Sequence, residues 1–157
     1  MLMANELKPD LCNCLALRQA ARHVTQFYDQ YLVPTGVRAT QFSILAMLER
    51  LGPITINALA EDMVMDRTTL GRNIQPLERE GLIAVSKGRA DRRSKELQLT
   101  DVGSARLHVA SKAWAEAQTR FERSFGSKRA SDLRAILRAV TASDLVPAAS
   151  DAPEPPA

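Results

Sequence analysis

The sequence is poor in aromatic residues and in cysteine, and each shortage excludes a class of protein. Aromatic side chains make up 4% of the 157 residues, which argues against a sheet-rich sandwich, where aromatic and β-branched residues are favoured. Two cysteines, Cys12 and Cys14, cannot form a disulfide framework. No apolar run approaches the roughly 18–20 residues needed to cross a bilayer, and the sequence shows no signal peptide. We therefore expect a cytoplasmic protein that does not enter membranes.

Motifs that carry catalysis are also missing. The sequence has no Gly-rich phosphate loop, no His-Glu-x-x-His and no Gly-x-Ser-x-Gly. A Cys–His nucleophile would have to pair Cys12 or Cys14 with His23, because His108 belongs to a different predicted helix. A zinc site normally needs four ligands, which two cysteines do not supply. We predict that the chain is not an enzyme and that it has no catalytic residues, no cofactor and no metal.

Positive charge, by contrast, is concentrated in nine residues. The net charge is only +3, but residues 87–95 hold five basic side chains against one acid, Asp91. The five are Lys87, Arg89, Arg92, Arg93 and Lys95. A concentrated cationic segment on a near-neutral body is typical of a protein that binds a polyanion. A solvated charge run is the simpler alternative.

The hydrophobic pattern predicts a mainly α protein with a small β-wing. Helices are predicted at 10–32, 39–52, 55–63, 66–80, 100–125 and 128–143, and strands at 82–86 and 95–100. Asp10, Thr55 and Asp66 are the expected N-caps, and Pro76 is expected to bend its helix. Two short helices followed by a two-stranded ribbon, with long helices at both ends, is the element order of a winged helix-turn-helix.

The second short helix has a polar face suited to double-stranded DNA. Its predicted buried stripe is Leu70, Ile74 and Leu77, which leaves Thr68, Arg72 and Gln75 on the opposite face and Thr69 on the flank. Such a helix fits the major groove, where Arg bonds guanine and Gln bonds adenine. An exposed helix that merely carries polar residues is the alternative.

The cationic hairpin loop is the second predicted DNA contact. Arginines at the tip of a short ribbon reach the minor groove, where the negative potential favours them. Asp91 is expected to pair with the Arg93 guanidinium and to hold it in shape. The residues predicted to contact DNA are Thr68, Thr69, Arg72, Gln75, Arg89, Asp91, Arg92, Arg93 and Lys95.

Three segments in order resemble the MarR family of transcription regulators. "DRRSKELQLTDVG" (91–103) resembles the family's wing signature, in which Asp-x-Arg is followed by Leu-Thr-x-x-Gly. "LAEDMVMDRTTLGRNIQPLEREGLI" (59–83) resembles its helix-turn-helix, and "GVRATQFSILAMLERLGPIT" (36–55) resembles its second helix. The similarity runs from about residue 11 to residue 140.

The resemblance implies one MarR-type domain over residues 1–146 that forms an intertwined homodimer. The winged-helix lobe would be 36–100, the dimerisation helices 10–32 and 101–142, and the tail 147–157 is expected to be disordered. The apolar stripe of the last predicted helix has no evident partner within one small lobe, which favours the dimer independently. Family members are mostly repressors that bind pseudo-palindromic operators and are released by small aromatic or phenolic ligands, oxidants or, occasionally, metal.

The resemblance also suggests where a ligand would bind. In this family the site lies where the DNA-binding lobe meets the dimer helices. Arg18, Arg22, His23 and Tyr28 are first-helix polar residues that would approach it. Because Arg pairs bidentately with carboxylates, an aromatic acid is the expected ligand. Surface residues with no ligand are the alternative.

The two cysteines leave three interpretations open: packing, redox sensing or metal. On a helix, residues two apart point in nearly opposite directions, which disfavours a disulfide. Cys14 occupies the place of the reactive cysteine of the family's peroxide-sensing branch, fourteen residues before Tyr28, which matches one of that branch's tyrosines. The branch's second sensing tyrosine would fall at Ala39, so this sequence departs from the pattern there. A redox-sensing repressor of the same fold that uses Cys14, alone or with a cysteine of the other subunit, is thus the alternative function, with Cys14 and Cys12 as the candidate redox residues. A winged-helix adaptor that binds only protein is a remote one.

Overall fold

The structure is a computed structural model, and it describes residues 8–145. The helices are α1 (Asn13–Leu32), α2 (Ala39–Leu51), α3 (Ile56–Asp62), α4 (Arg67–Arg79), α5 (Asp101–Phe125) and α6 (Ser127–Ala142). The strands are β1 (Ile54–Thr55), β2 (Ile83–Lys87) and β3 (Lys95–Leu99). The described residues form two compact units, the first ending at Thr119 and the second beginning at Arg120. The tail predicted at 147–157 lies outside the described residues.

The first helix begins later than predicted. Asp10 lies in a 3-10 turn, Pro9–Leu11, and does not cap the helix. Cys12 is the N-cap instead, with extended backbone angles, and its Sγ accepts a hydrogen bond from the Leu15 amide at 3.4 Å. Pro9 favours the tight turn because its fixed φ suits the first position of a helical turn. The expected cap at Asp10 was therefore wrong by two residues.

The wing is a three-stranded sheet in the order β1-β3-β2, with all neighbours antiparallel. The sequence pattern predicts β2 and β3 but not β1, in which Ile54 pairs with Leu97 and Thr55 with Glu96. In the hairpin, Ile83 pairs with Leu99 and Lys87 with Lys95. The register places the cationic loop at the free end of the ribbon.

Aliphatic side chains from helices and strands of the first unit form its core. The side chains of Leu45, Leu59, Leu70, Leu82 and Leu97 are fully buried, and they come from α2, α3, α4, the turn before β2, and β3. Burying a leucine side chain contributes about 1.5–3 kcal/mol, so the helix-turn-helix and the wing are held on one rigid support. The predicted stripe of α4, Leu70, Ile74 and Leu77, is buried as expected.

The turn between α3 and α4 contains an unusual backbone conformation. Val64 has φ +52°, in the left-handed region that β-branched residues avoid, and its side chain is 73% exposed. The turn is closed by hydrogen bonds from the Val64 amide to the Glu61 carbonyl and from the Met65 amide to the Ala60 carbonyl. The helix-turn-helix geometry therefore imposes a strained conformation on Val64.

The second unit contains the end of α5 and all of α6. Arg134 bonds Glu122 at 3.2 Å, Lys128 bonds Asp132 at 2.7 Å, and the Arg129 guanidinium lies 4.4 Å from the centre of the Phe125 ring. Helix α6 exposes apolar side chains to solvent in the single chain. Within residues 8–145, no helix has the length and apolar character of a membrane span.

Candidate nucleic-acid interface

The N-terminus of α4 is held by a carboxylate, as the sequence predicted. Asp66 Oδ1 accepts the Thr69 amide at 2.8 Å, and Oδ2 accepts the Thr69 hydroxyl at 2.6 Å. Thr69, first through its hydroxyl and then through its amide, lowers the pKa of Asp66 below its ordinary value. Thr69 therefore stabilises the first turn of α4 through its hydroxyl as well as lying on the exposed surface of the helix.

The exposed face of α4 carries the predicted reading residues. Thr68, Arg72 and Gln75 are all exposed and follow one another at helical spacing, opposite the buried stripe. Asn73 donates its side-chain amide to the Thr69 carbonyl at 2.9 Å. Helix α4 continues through Pro76 to Arg79. The face therefore presents a guanidinium, an amide and a hydroxyl along one side of a continuous helix.

Asp91 shapes the wing loop, though through a different contact from the one expected. Its Oδ1 accepts the Arg93 backbone amide at 2.9 Å, and its carbonyl accepts the Ser94 hydroxyl at 2.6 Å and the Ser94 amide at 3.0 Å. Among the described residues no ion pair joins Asp91 to the Arg93 guanidinium. An Asp side chain that bonds an amide two residues on forms an Asx-turn. The Arg93 side chain is exposed.

Two further residues of the wing were missed by sequence analysis. Gly88 is buried, and a Cβ atom there would collide with the Ser94 side chain and the Asp91 carbonyl oxygen. Glu96 accepts the Arg89 amide at 3.0 Å and lies 3.9 Å from its guanidinium. The sequence shows a glycine before a basic loop, but it does not show that Asp91 and Ser94 of that loop pack directly against Gly88. Arg92, Arg93 and Lys95 remain exposed cations.

The base of the wing is fastened to α5 by a threonine and a glycine. The Thr100 hydroxyl donates to the Gly81 carbonyl at 2.6 Å and accepts the Gly103 amide at 3.0 Å. A Cβ at Gly103 would collide with the Leu82 carbonyl oxygen. This close approach gives a physical reason for the Leu-Thr-x-x-Gly pattern.

The residues predicted to bind a ligand or to sense oxidants belong to α1 or its N-cap, and not to α4 or the wing. Of the four predicted ligand residues, Tyr28 lines a cavity formed by side chains of α1, α2 and α5, and Arg18, Arg22 and His23 are exposed on α1 and do not line that cavity. Cys12 and Cys14 form no disulfide with each other and are exposed in the single chain, so the packing expected for Cys14 is not made within it. Within residues 8–145, no group of three or more His, Cys, Asp or Glu side chains is placed to hold a metal.

The fold and this surface define a winged helix-turn-helix protein. Residues 37–95 match the MarR family. The structure is similar to that of the M. tuberculosis transcriptional regulator MosR in complex with DNA, at 36% identity, a TM-score of 0.73, and coverage of 85% of this chain and 99% of that one. The chain belongs to the MarR family.

Two more relatives are less similar in sequence. The transcriptional repressor CouR, bound to a 23-mer DNA duplex, is 27% identical with a TM-score of 0.75, and the match covers 86% of this chain and 98% of that one. An organic hydroperoxide resistance transcriptional regulator of Bacillus subtilis (strain 168) is 26% identical over 91 residues, which are 58% of this chain. The match spans 62% of that curated relative's length.

Proposed function

We propose that the protein is a DNA-binding transcription regulator, a repressor that binds a pseudo-palindromic operator as a homodimer and is released by a small aromatic ligand. The single observation that carries this proposal is the pairing of two exposed DNA-suited elements on one rigid core: α4 with Arg72 and Gln75, and the wing with Arg92 and Arg93. Helix-turn-helix proteins place such a helix in the major groove. The DNA complexes of the relatives MosR and CouR support it.

Exposed apolar side chains on the terminal helices support the homodimer. Helix α1 exposes Leu15 and Leu17 near its start, and α6 exposes Ile136, Leu137 and Val140. Helices of this kind bury such stripes against another element. A particle mass of twice the 17.3 kDa chain in light scattering would agree with the dimer, and a single-chain mass would contradict it.

A gel-shift titration tests the proposed DNA binding. The probe is the DNA upstream of the protein's own gene, compared with a shuffled sequence of equal length, at low salt where phosphate contacts are strongest. We expect a specific complex with the upstream probe. Absence of any complex at low salt would contradict the proposal and favour a protein-binding adaptor.

Two variants separate base reading from backbone contact. Arg72→Ala is expected to weaken the free energy of operator binding by about 1–3 kcal/mol. It should also reduce the difference in affinity between the upstream probe and the shuffled probe. Arg93→Ala is expected to weaken binding to both probes more evenly. If both variants bind like the parent, the assignment of the two surfaces is wrong.

Redox sensing is the second candidate function, and the position of Cys12 favours it. Because Cys12 precedes α1 and has extended backbone angles, the two thiols are not locked on opposite sides of a helix. Both are exposed, and the relative from B. subtilis is named for organic hydroperoxide resistance. Mass spectrometry after peroxide treatment, with a gel shift of Cys14→Ser, tests it. Oxidised protein that binds DNA like reduced protein would refute it.

A further inference from the structure

Glu96 is an acidic side chain of the wing to which the proposed DNA contacts give no role. It lies in the central strand β3, opposite Thr55 of β1 and Ser86 of β2. Successive side chains of a strand point to opposite faces, so Glu96 lies on the face of the sheet away from the buried Leu97 side chain. Its side chain is nevertheless only 15% exposed. A carboxylate covered to this extent needs polar partners.

Both oxygens of this carboxylate face Arg89, at the start of the wing loop (residues 88–94). Oε1 accepts the Arg89 backbone amide at 3.0 Å, and Oε2 lies 3.9 Å from the guanidinium Nε. The Arg89 side chain is 78% exposed, and an exposed ion pair contributes little to stability. The hydrogen bond to the amide is therefore the stronger contact, and it joins β3 to the first half of the loop.

Two acids hold different halves of the wing loop. Asp91 Oδ1 accepts the Arg93 amide at 2.9 Å, two residues on, and so fixes the second half. The Gly88 amide donates to the Ser94 carbonyl at 2.9 Å and closes the loop at its base. Glu96 fixes the first half from a strand position seven residues along the chain. The backbone that carries the exposed arginines is thus held on both sides.

The charge of Glu96 and its hydrogen bond should affect DNA binding in opposite directions. A carboxylate beside a cationic loop repels the phosphates that the loop is proposed to contact, so removing the charge alone should strengthen binding. Removing the hydrogen bond should weaken binding, because a loop that is not already ordered must be ordered on the DNA. The sign of the change in affinity therefore shows which of the two effects dominates.

We propose that Glu96 is a positioning residue for DNA binding, which holds the backbone of the wing loop at Arg89 so that Arg92 and Arg93 are presented to the DNA. The inference rests on the proposed function and deepens it by adding a residue that acts without contacting DNA. The hold on the loop is measured in the free protein, so its failure is distinct from failure of the operator gel shift.

Two substitutions of Glu96 separate the charge from the hydrogen bond. Glu96→Gln removes the charge but keeps an oxygen that can accept the Arg89 amide, whereas Glu96→Leu removes both at a similar size. In gel shifts with the upstream probe, Glu96→Gln should bind at least as tightly as the parent protein. Glu96→Leu should bind about tenfold more weakly than Glu96→Gln, a factor worth about 1.4 kcal/mol. Circular dichroism and thermal unfolding would verify that both variants fold.

Amide hydrogen exchange, followed by NMR, tests the hold on the loop without DNA. The amide of residue 89 should be protected in the parent protein and in Glu96→Gln, and should exchange about tenfold faster or more in Glu96→Leu. The matched control Arg89→Ala removes the guanidinium but keeps the backbone amide, which should stay protected. Unchanged exchange in Glu96→Leu would overturn the proposal, as would operator binding by Glu96→Leu that equals or exceeds that of Glu96→Gln.

Discussion

Gly103→Ala is expected to destabilise the protein because the added methyl group meets backbone. Alanine is favoured over glycine inside a helix by about 1 kcal/mol. At Gly103, however, the new Cβ would collide with the Leu82 carbonyl oxygen and approach the Leu99 side chain at 2.8 Å. Overpacking costs about 1–3 kcal/mol, and the upper end applies because a paired backbone carbonyl cannot turn away. The net destabilisation is about 2 kcal/mol.

Gly71→Ala is the matched control, since it makes the same change inside α4. A Cβ at Gly71 would meet no atom within 4 Å outside its own helix. The helix propensity of alanine then acts alone and should stabilise the chain by about 1 kcal/mol.

Thermal unfolding at one fixed protein concentration measures both variants, because the stability of an oligomer depends on concentration. Gly103→Ala should lower Tm by roughly 4–8 °C, and Gly71→Ala should raise it by roughly 2–4 °C. A Gly103→Ala protein as stable as the parent would refute the close approach of α5 to the residue before β2.

Three further changes test other features of the first unit. Val64→Asn should stabilise by about 1 kcal/mol in urea unfolding, because Asn tolerates the left-handed conformation; a decrease in stability would contradict strain at this turn. Asp29 of α1 accepts the amide of Ala39, the first residue of α2, at 2.7 Å, so Asp29→Ala should lower the free energy of unfolding by about 1 kcal/mol. An unchanged urea midpoint would contradict a stabilising role for this hydrogen bond. Asp66→Asn should destabilise at neutral pH. Because folding lowers the pKa of Asp66, its stabilisation is complete above the unfolded value near 4 and is lost as the pH falls through the folded pKa, so parent and variant should converge in acid. A stability difference between the parent and Asp66→Asn that does not change with pH would contradict a lowered pKa of Asp66 in the folded protein.

Local features of the fold were predictable from the sequence. Thr55 and Asp66 cap their helices as expected, because N-capping depends on residues only three apart. The hairpin strands were visible as alternating patterns. Strand β1 was missed because two residues carry no pattern, and its partner Leu97 lies far along the chain. The N-cap at Cys12 was missed because a 3-10 turn and a helix have similar sequence patterns.

The candidate sites were predictable to different extents. The exposed face of α4 followed from one helix and its buried stripe. The donor to Asp91 could not be chosen from sequence, since the amide and the guanidinium of Arg93 were both within reach. The cavity joins Tyr28, Phe42 and Trp114 from three helices, and only the packing shows that the first-helix cations do not line it.

The salt dependence of operator binding tests the central proposal most directly. Removing one phosphate contact should reduce the slope of log K against log salt by about 0.9. We predict a slope shallower by about that amount for Arg93→Ala, and an unchanged slope for Lys112→Ala, which removes an exposed cation of α5 outside α4 and the wing. Equal slopes for the parent protein and Arg93→Ala would contradict a DNA-contacting wing.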